Sequence, residues 1–226
     1  MNQTNPWDEL ASLPAPEMPV FAYAETRDWP GYFRATQGRA PRATCLEVLD
    51  LFDAEGVPGG SGPRPLAVDL GCGEGRDSAE MLARGWRVLA IDGNEMALDL
   101  LRHRPNITDH THLAARLEKM ENVHLPACNL VNASFCLPFC HPDRFDSLWE
   151  RIVTAILPGG RFAGQLFGER DSWAVLPDRS HQTRQRVEKL LSGLKIERLD
   201  EEERDGEDCH GTAKHWHAFH IIARKP

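Results

Sequence analysis

The feature that most constrains this chain is a glycine-rich turn between a short apolar run and the start of a helical pattern. The segment "VDLGCGEGRDSAEML", from Val68 to Leu82, contains Gly71, Gly73 and Gly75 at this turn. Glycines there leave backbone N–H groups uncovered and let a ligand approach more closely than any Cβ would allow. The sequence therefore predicts a strand, a ligand-binding loop and a helix, in that order.

The same order of elements repeats along the chain. "WRVLAID" repeats the strand pattern after the first helix, and "NEMALDLLRHR" repeats the helix pattern. Further strands are predicted at residues 111–115, 129–135 and 161–167, further helices at 43–53, at 142–156 and in "HQTRQRVEKLLSG", and two closing strands in "LKIERLDEEE" and "KHWHAFHIIAR", joined by the acidic loop "RDGEDCHGTA". This order predicts an α/β fold, a Rossmann-like, doubly wound, mostly parallel seven-stranded sheet with a C-terminal antiparallel hairpin strand.

The N-terminal part differs in composition from the rest of the chain. It has four prolines between Pro14 and Pro30, mixed with aromatic residues, which predicts an extended arm over residues 1–30. The Gly- and Pro-rich "GVPGGSGPRP" predicts a linker after the helix at 43–53. We therefore expect an arm and helix over residues 1–60, acting as a lid over the site, and a main domain over residues 61–226.

Composition and charge exclude several classes of function. The chain has 41% hydrophobic and 27% charged residues, as ordinary globular proteins do. No apolar run approaches the roughly 18–20 residues of a membrane helix, and "MNQTNPWDEL" lacks the pattern of a secretory signal. A net charge of -8 disfavours a broad phosphate-binding face. We expect a cytoplasmic protein that binds neither membrane nor nucleic acid, with its cysteines reduced.

The spacing of the loop distinguishes two classes of nucleotide-like ligand. Dinucleotide enzymes use G-x-G-x-x-G, whereas the third glycine here comes one position early. Asp69 and Glu74 would repel a pyrophosphate, and they would attract a cation. S-adenosylmethionine carries an ammonium and a sulfonium, and Asp92, 19 positions after Gly73, is placed to accept its ribose hydroxyl protons.

Two segments carry a resemblance to a known family. "VDLGCGEGRD" followed by "VLAIDGNEMAL" resembles the class I S-adenosylmethionine-dependent methyltransferases. The variant with Arg76 and Asp77 directly after the loop is similar to the tellurite-resistance and thiopurine methyltransferase-like branch. The resemblance is strongest over residues 66–100 and extends more loosely through "LPGGRFAGQLFG" to the C-terminal hairpin.

The resemblance implies S-adenosylmethionine as cofactor, S-adenosylhomocysteine as product, and a position for each part of the cofactor. These positions are Asp69, Gly71, Cys72, Gly73 and Gly75 for the methionine part, Asp92, Gly93 and Asn94 for the ribose, Leu117 and Glu118 for the adenine, and Asn132 and Ser134 for the side facing the reactive methyl group. Cys72 is read as a small residue in a crowded turn rather than as a nucleophile. The third strand matches no tight pattern, so the adenine positions follow from its place in the fold alone.

Further residues are candidates for substrate binding and proton transfer. The predicted substrate contacts are Trp29, Tyr32, Phe33, Phe135 and Arg170. For an acceptor that must lose a proton, the candidate catalytic residues are His141, Asp171, His215 and His217. The Cys- and His-containing segments have neither a CxxC pair nor an HExxH motif, so no metal is expected.

The predicted function is methyl transfer from S-adenosylmethionine to an O, N or S atom of a small molecule, by a monomer or homodimer. Positioning of the acceptor supplies most of the acceleration in this interpretation. A nicotinamide-dependent oxidoreductase and a non-catalytic module that binds S-adenosylmethionine remain as alternatives. Amino methylation of nucleic acid is disfavoured, because "VNASF" stands where an N-P-P-Y-like tetrad would follow the fourth strand.

Overall fold

Helices and strands alternate through much of the chain in the computed structural model, which describes residues 27–58 and 63–226. The α-helices are α1 (Trp29–Thr36), α2 (Ala43–Ala54), α3 (Arg76–Ala83), α4 (Glu95–Arg102), α5 (Pro142–Ala155) and α6 (Arg184–Leu190). The strands are β1 (Leu66–Leu70), β2 (Arg87–Asp92), β3 (Leu113–Leu117), β4 (Cys128–Ala133), β5 (Ile156–Gly168), β6 (His181–Gln182), β7 (Lys195–Glu207) and β8 (Ala213–Arg224).

These strands form one sheet in the order β3-β2-β1-β4-β5-β8-β7. The first five of that order run parallel, and β8 pairs antiparallel with both β5 and β7. The two-residue β6 pairs in parallel with the end of β5, which makes an eighth strand beside the seven predicted. The predicted mostly parallel sheet with a C-terminal antiparallel hairpin is confirmed.

Helices cover both faces of the sheet. On β1, Val68 and Leu70 pack into a core cluster that contains Phe145 of α5, whereas Ala67 packs into a second cluster with Leu49 of α2. Successive side chains of a strand point to opposite faces, so these two clusters lie on the two sides of the sheet. Residues of α6 join the first cluster and residues of α3 and α4 join the second, as a doubly wound fold requires.

Helix α1 is an element that the sequence pattern did not predict. The predicted extended arm lies mostly outside the described residues, and its last two residues begin α1 instead. Asp28 caps this helix by accepting a hydrogen bond from Gly31 N at 3.0 Å, and Pro30 stands in its first turn. Proline is compatible with that position because the first N–H groups of a helix have no partner within it. Helix α2 begins at the predicted residue.

The acidic run near the C-terminus is a strand and not the predicted loop. Residues through Glu207 belong to β7 and pair with β8 in continuous register from Arg198 onward, so the connecting turn spans only residues 208–212. Histidines of β8 face these acids: His217 Nε2 lies 2.9 Å from Glu201 and His220 Nε2 lies 2.7 Å from Glu202. Pairing across the hairpin satisfies carboxylates that would otherwise favour a solvated loop.

A buried arginine joins α2 to the sheet. Arg161 of β5 is 1% exposed, and its guanidinium hydrogen-bonds Glu55, just after α2, at 2.6 Å and Glu197 of β7 at 2.6 Å. Its guanidinium carbon lies 4.5 Å from the ring centroid of Phe52.

The described helices include none with the length and apolar composition needed to cross a membrane.

Candidate active site

A cavity of about 1140 Å³ opens at the carboxyl edge of the parallel strands, where β1, β2 and β4 end. Ligands of open α/β sheets bind at this edge. Helix α1 contributes Trp29, Tyr32 and Phe33 to the lining, and the glycine loop contributes its central residues. The predicted site residues that line the cavity are Asp69, Gly71, Cys72, Gly73, Asp92, Gly93, Asn94, Glu118, Ser134, Trp29, Tyr32, Phe33, Phe135 and His141.

The three glycines of the loop all adopt positive φ angles, but for different spatial reasons. A Cβ on Gly71 would lie 2.3 Å from the Cβ of Cys136, and a Cβ on Gly75 would lie 2.0 Å from a methyl carbon of Leu101. A Cβ on Gly73 would meet only a ring carbon of Phe33, at 3.6 Å. Gly73 therefore leaves open space on the cavity side, which is what close approach of a ligand requires.

Asp92 holds the glycine loop against the end of β2. Its carboxylate accepts hydrogen bonds from Gly73 N at 2.9 Å and from Asn94 N at 2.8 Å. Burial raises the pKa of Asp92, and the N–H donors act against that rise. Oδ2 of Asp92 thus orients the loop, and Oδ1 orients the start of α4. Each oxygen keeps a second lone pair that can accept a hydrogen bond from a ligand hydroxyl.

Asp69 lies at the centre of a buried polar network. Its carboxylate accepts a hydrogen bond from Ser78 Oγ at 2.6 Å and one from Asn132 Nδ2 at 2.9 Å. The same amide nitrogen of Asn132 lies 3.1 Å from Asp77. Burial, followed by the charge of Asp77, raises the pKa of Asp69 to about 7. The network therefore holds negative charge that a cationic ligand would stabilise.

Glu74 adds a third buried acid with a raised pKa to this end of the cavity. It is 3% exposed, and burial raises its pKa. Its Oε1 atom accepts no hydrogen bond from the described residues, and the nearest cation, Arg104, is 3.8 Å away. A buried polar atom without a donor is costly, so this carboxylate is a second feature that favours a cationic or donor-rich ligand.

Three of the predicted cofactor residues lie outside the cavity lining. Gly75 packs against Leu101 at the start of α3, and Asn132 is fully buried beneath Asp69, so both support the loop from behind. Leu117 is 54% exposed at the end of β3, while its neighbour Glu118 lines the cavity. Alternation along an edge strand explains this last difference, since adjacent side chains point to opposite faces.

Most of the predicted catalytic and charged substrate residues also lie outside the lining. Asp171 is buried in an ion pair with Lys214, and His215 lies 2.7 Å from Asp205 on the outer part of the hairpin. The ring of His217 is buried against Gly168 and pairs with Glu201, and the Arg170 side chain binds Glu201 and Glu203. Because these charges are paired with one another, Arg170 and Asp171 of the strand-end loop "FGERDSW" stabilise the fold and do not face the cavity.

His141 is the predicted proton acceptor that the structure brings to the cavity. Its side chain is 51% exposed, and its Nδ1 atom accepts a hydrogen bond from Asp143 N at 3.3 Å as the N-cap of α5. An Nδ1 atom that accepts places the proton of the neutral ring on Nε2, so His141 can take a proton only at Nδ1, in place of the Asp143 N–H.

Several cavity residues were not among those predicted from the sequence. They include Arg76, the acid Asp77 and the rings Phe139, Phe167, Trp173 and Trp216. Alternation along "KHWHAFH" separates Trp216 from the histidines on either side of it, which was the available signal for its direction. The others come from loops and from the start of α3, where periodicity predicts no facing direction.

The chain has the fold of the S-adenosylmethionine-dependent methyltransferases. TehB from Haemophilus influenzae superposes with a TM-score of 0.67 at 16% identity, over 86% of this chain and 66% of that chain. Magnesium protoporphyrin IX methyltransferase from Synechocystis, solved with bound S-adenosylmethionine, gives 0.64 at 13% identity, over 92% and 95% of the two chains. At these identities the likeness shows the shared fold.

Residues 67–160 match the model of the methyltransferase domain family. The carboxy-S-adenosyl-L-methionine synthase of Pseudoalteromonas atlantica is 28% identical over 99 residues, which are 42% of this chain and 41% of that protein. The chain thus aligns with about two fifths of the length of this curated relative. The predicted class, whose cofactor is S-adenosylmethionine, and the resemblance to tellurite-resistance proteins are confirmed.

Proposed function

We propose that this protein transfers a methyl group from S-adenosylmethionine to an O, N or S atom of a small molecule. The observation that carries the proposal is one continuous cavity with two chemically different ends. Buried acids surround the glycine loop at one end, and aromatic side chains line the other. Its volume of about 1140 Å³ exceeds the roughly 300–1,000 Å³ of a typical ligand pocket, so it has room for a cofactor and a small acceptor.

The residues at the acidic end fit the cofactor. Asp69 and Glu74 offer negative charge to an ammonium and a sulfonium, and the open side of Gly73 leaves room for the chain between them. Asp92 offers carboxylate oxygens to the ribose hydroxyls, with Gly93 and Asn94 beside it. When bound, S-adenosylmethionine supplies an electrophilic methyl group on a sulfonium that leaves as a neutral thioether.

The same acids argue against a dinucleotide. Asp69, Glu74 and Asp77 are each no more than 3% exposed and lie around the loop where a pyrophosphate would have to sit. Two phosphate charges beside these carboxylates would be strongly repelled in a buried setting. The cavity therefore supports the methyltransferase and disfavours a nicotinamide-dependent oxidoreductase.

The chain's own contribution to the reaction is to position the acceptor and exclude water. Helix α1 places Trp29, Tyr32 and Phe33 over the cavity, and Phe33 packs against Ala97 and Leu100 of α4. These contacts support the proposal that α1 is part of a lid over the site, formed by residues 1–60, with the main methyltransferase domain in residues 61–226. Holding the nucleophile near the methyl group supplies most of the acceleration, and His141 is the candidate to take a proton where the acceptor carries one.

The experiment is a methyl-transfer assay with isotope-labelled S-adenosylmethionine and a panel of small phenols, thiols, carboxylic acids and amines. We expect label in at least one acceptor with the wild-type protein. The Asp92→Ala variant should lose at least tenfold in kcat/KM through a raised cofactor KM, because the hydrogen bonds that hold Gly73 of the loop and Asn94 at the start of α4 are both removed. Asp99→Ala, on the outer side of α4, is the matched control and should behave as wild type. Cofactor binding without transfer to any member of the panel would instead favour a binding module.

A further inference from the structure

Five aromatic residues form a continuous wall at the end of the cavity away from the acids. We call Phe135, Phe139, Phe167, Trp173 and Trp216 the aromatic wall; all five line the cavity. Each ring contacts the next one along the wall. The distances between neighbouring ring centroids are 6.1 Å for Phe139 and Trp173, 6.1 Å for Trp173 and Trp216, 5.9 Å for Trp216 and Phe167, and 6.2 Å for Phe167 and Phe135. A surface of this kind binds flat apolar ligands by stacking and edge contacts.

A buried ammonium lies behind the wall. Lys214 is 4% exposed and forms an ion pair with Asp171, and neither residue is part of the cavity lining. Its Nζ atom lies 3.9 Å from the ring centroid of Trp173 and 4.5 Å from that of Trp216. The faces of these rings are negative, so the ammonium binds them and counteracts their attraction for a second cation from the cavity.

Asp171 also fixes the wall in place. Its carboxylate accepts a hydrogen bond from Trp173 N at 2.9 Å and one from His217 N at 3.2 Å. The ion pair therefore joins the turn that carries Trp173 to β8, which carries Trp216. Because one acid binds both segments, the ammonium and the two indoles are held as a unit.

Guanidinium groups lie over other rings of the wall. The guanidinium carbon of Arg42 lies 4.5 Å from the centroid of Phe135, and that of Arg179 lies 4.9 Å from the centroid of Phe139. Arg42 itself lines the cavity. Among the described residues no carboxylate forms an ion pair with its guanidinium, whose Nη2 atom donates a hydrogen bond to the Tyr32 hydroxyl at 3.4 Å. Arg42 thus presents a positive charge beside an aromatic surface.

One acid of the cavity contacts Arg42: Asp77 Oδ1 accepts a hydrogen bond from the Arg42 backbone N at 2.8 Å, and its charge stabilises the Arg42 guanidinium. Asp69, Asp92 and Glu74 belong to the glycine-loop end. Glu202, which reaches the wall side, forms an ion pair with Arg204 and lies 2.7 Å from His220. Asp208 accepts hydrogen bonds from backbone N–H groups of its own turn.

We propose that the acceptor of this cavity is a flat aromatic molecule that carries an acidic group, and that the wall excludes aromatic amines in their cationic form. This inference rests on the proposed function and names its substrate class. The ring lies on the aromatic wall, and the acidic group lies toward Arg42. Lys214 and Arg179 each form an ion pair with an acid, Asp171 and Asp178, so Arg42 is the cation that stabilises such a ligand by charge and repels an ammonium of similar shape.

The test compares three probes of one shape and different charge: benzoate, benzyl alcohol and benzylamine. Each is titrated by ligand-observed NMR into the wild-type protein, both free and saturated with S-adenosylhomocysteine. We expect benzoate to bind about tenfold more tightly than protonated benzylamine, with the alcohol between them. Equal or tighter binding of benzylamine, or no binding of any probe, overturns the proposal.

Two substitutions separate local from overall charge. Arg42→Met removes the cation over Phe135 but keeps the bond to Asp77, which comes from the backbone N–H of residue 42. Arg39→Met removes the same charge from an exposed lining residue that has no ring contact. The benzoate preference should fall at least fivefold in the first variant and remain in the second. An equal fall in both would assign the preference to net charge and overturn the role of the wall.

The outcomes of this test distinguish failure of the acceptor class from failure of the proposed function. Failure of the wild-type protein to bind S-adenosylhomocysteine would contradict the methyltransferase proposal, while the probe series in the free protein would still test the wall. Conversely, cofactor binding with a reversed order of probes would leave the methyltransferase proposal in place and overturn the acceptor class.

Discussion

Asp69 occupies a buried position at which protonation and ligand binding are linked. Burial and the charge of Asp77 raise its pKa to about 7, so near neutral pH the free protein holds this carboxyl partly protonated. A ligand ammonium favours the ionised form. The raised pKa means that the proton is bound below pH 7 and lost above it, and cofactor binding should therefore strengthen as the pH rises.

The expected change is about tenfold in affinity between pH 6 and pH 8, because the ionised fraction of a group with a pKa of about 7 rises about tenfold over that range. Calorimetric titration of S-adenosylhomocysteine at several pH values measures it. Asp69→Asn should bind more weakly at pH 8 and show a flat profile. A wild-type affinity that falls with rising pH would contradict the assignment of the ammonium to Asp69.

Two glycines of the loop should respond differently to the same substitution. Gly71→Ala introduces a Cβ 2.3 Å from that of Cys136 at a φ of +66°, and we expect a loss of about 3 kcal/mol in stability. Gly73→Ala meets open space apart from Phe33, so about 1 kcal/mol is lost through its φ of +54°. Thermal unfolding should show a Tm lowered by about 6–12 °C in the first variant and about 2–4 °C in the second.

The second measurement on this pair is cofactor affinity. Gly73→Ala remains folded but places a methyl group into the space that a ligand would occupy, so its affinity for S-adenosylhomocysteine should fall at least tenfold. Unchanged affinity in a folded Gly73→Ala protein would show that the ligand does not approach the loop on that side.

At the residue scale, the sequence predicted contacts that depend on short spacing. Asp92 follows the loop at the distance expected for a second strand, and its carboxylate does reach Gly73. The bond between Asn132 and Asp69 depends instead on β4 pairing beside β1, which spacing along the chain does not reveal. The contact between Arg42 and Phe135 also joins residues that are far apart in the sequence, because Arg42 precedes α2 and Phe135 follows β4.

At the element scale, repeated strand and helix patterns predicted most of the sheet, and two elements departed from their patterns. The proline that suggested an arm stands at the start of α1, where it is tolerated, so its presence did not exclude a helix. The acids that suggested a loop lie on β7, opposite histidines of β8. The local cap by Asp28 and the tolerated position of Pro30 decided the first case, and long-range pairing with β8 decided the second.

The link between α2 and the sheet gives a prediction at this scale. Arg161→Met leaves the carboxylates of Glu55 and Glu197 without their shared partner and should cost about 2–3 kcal/mol, because both acids retain some access to water. The Tm should fall by about 5–10 °C with cofactor affinity unchanged. Arg224→Met removes a partly exposed partner of the same Glu55 and should cost less than about 1 kcal/mol. Equal losses in the two variants would contradict the role of burial.

At the scale of the whole molecule, the sheet order explains why the site forms where it does. β1 lies between β2 and β4, so the glycine loop, Asp92 and the residues after β4 meet at one edge. The antiparallel β8 brings Trp216 from the far end of the chain to the same cavity. The N-terminal helix completes it with aromatic side chains, so residues from the whole described chain build one site.

The most direct test of the account is calorimetric titration of the purified protein with S-adenosylmethionine, S-adenosylhomocysteine and NAD in parallel. The account predicts binding of the first two in the micromolar range and none of NAD, because buried carboxylates around the loop attract the aminoacyl sulfonium and repel a pyrophosphate. Binding of NAD with no binding of either S-adenosyl compound would contradict it and make Asp92 a ribose ligand of a nicotinamide cofactor.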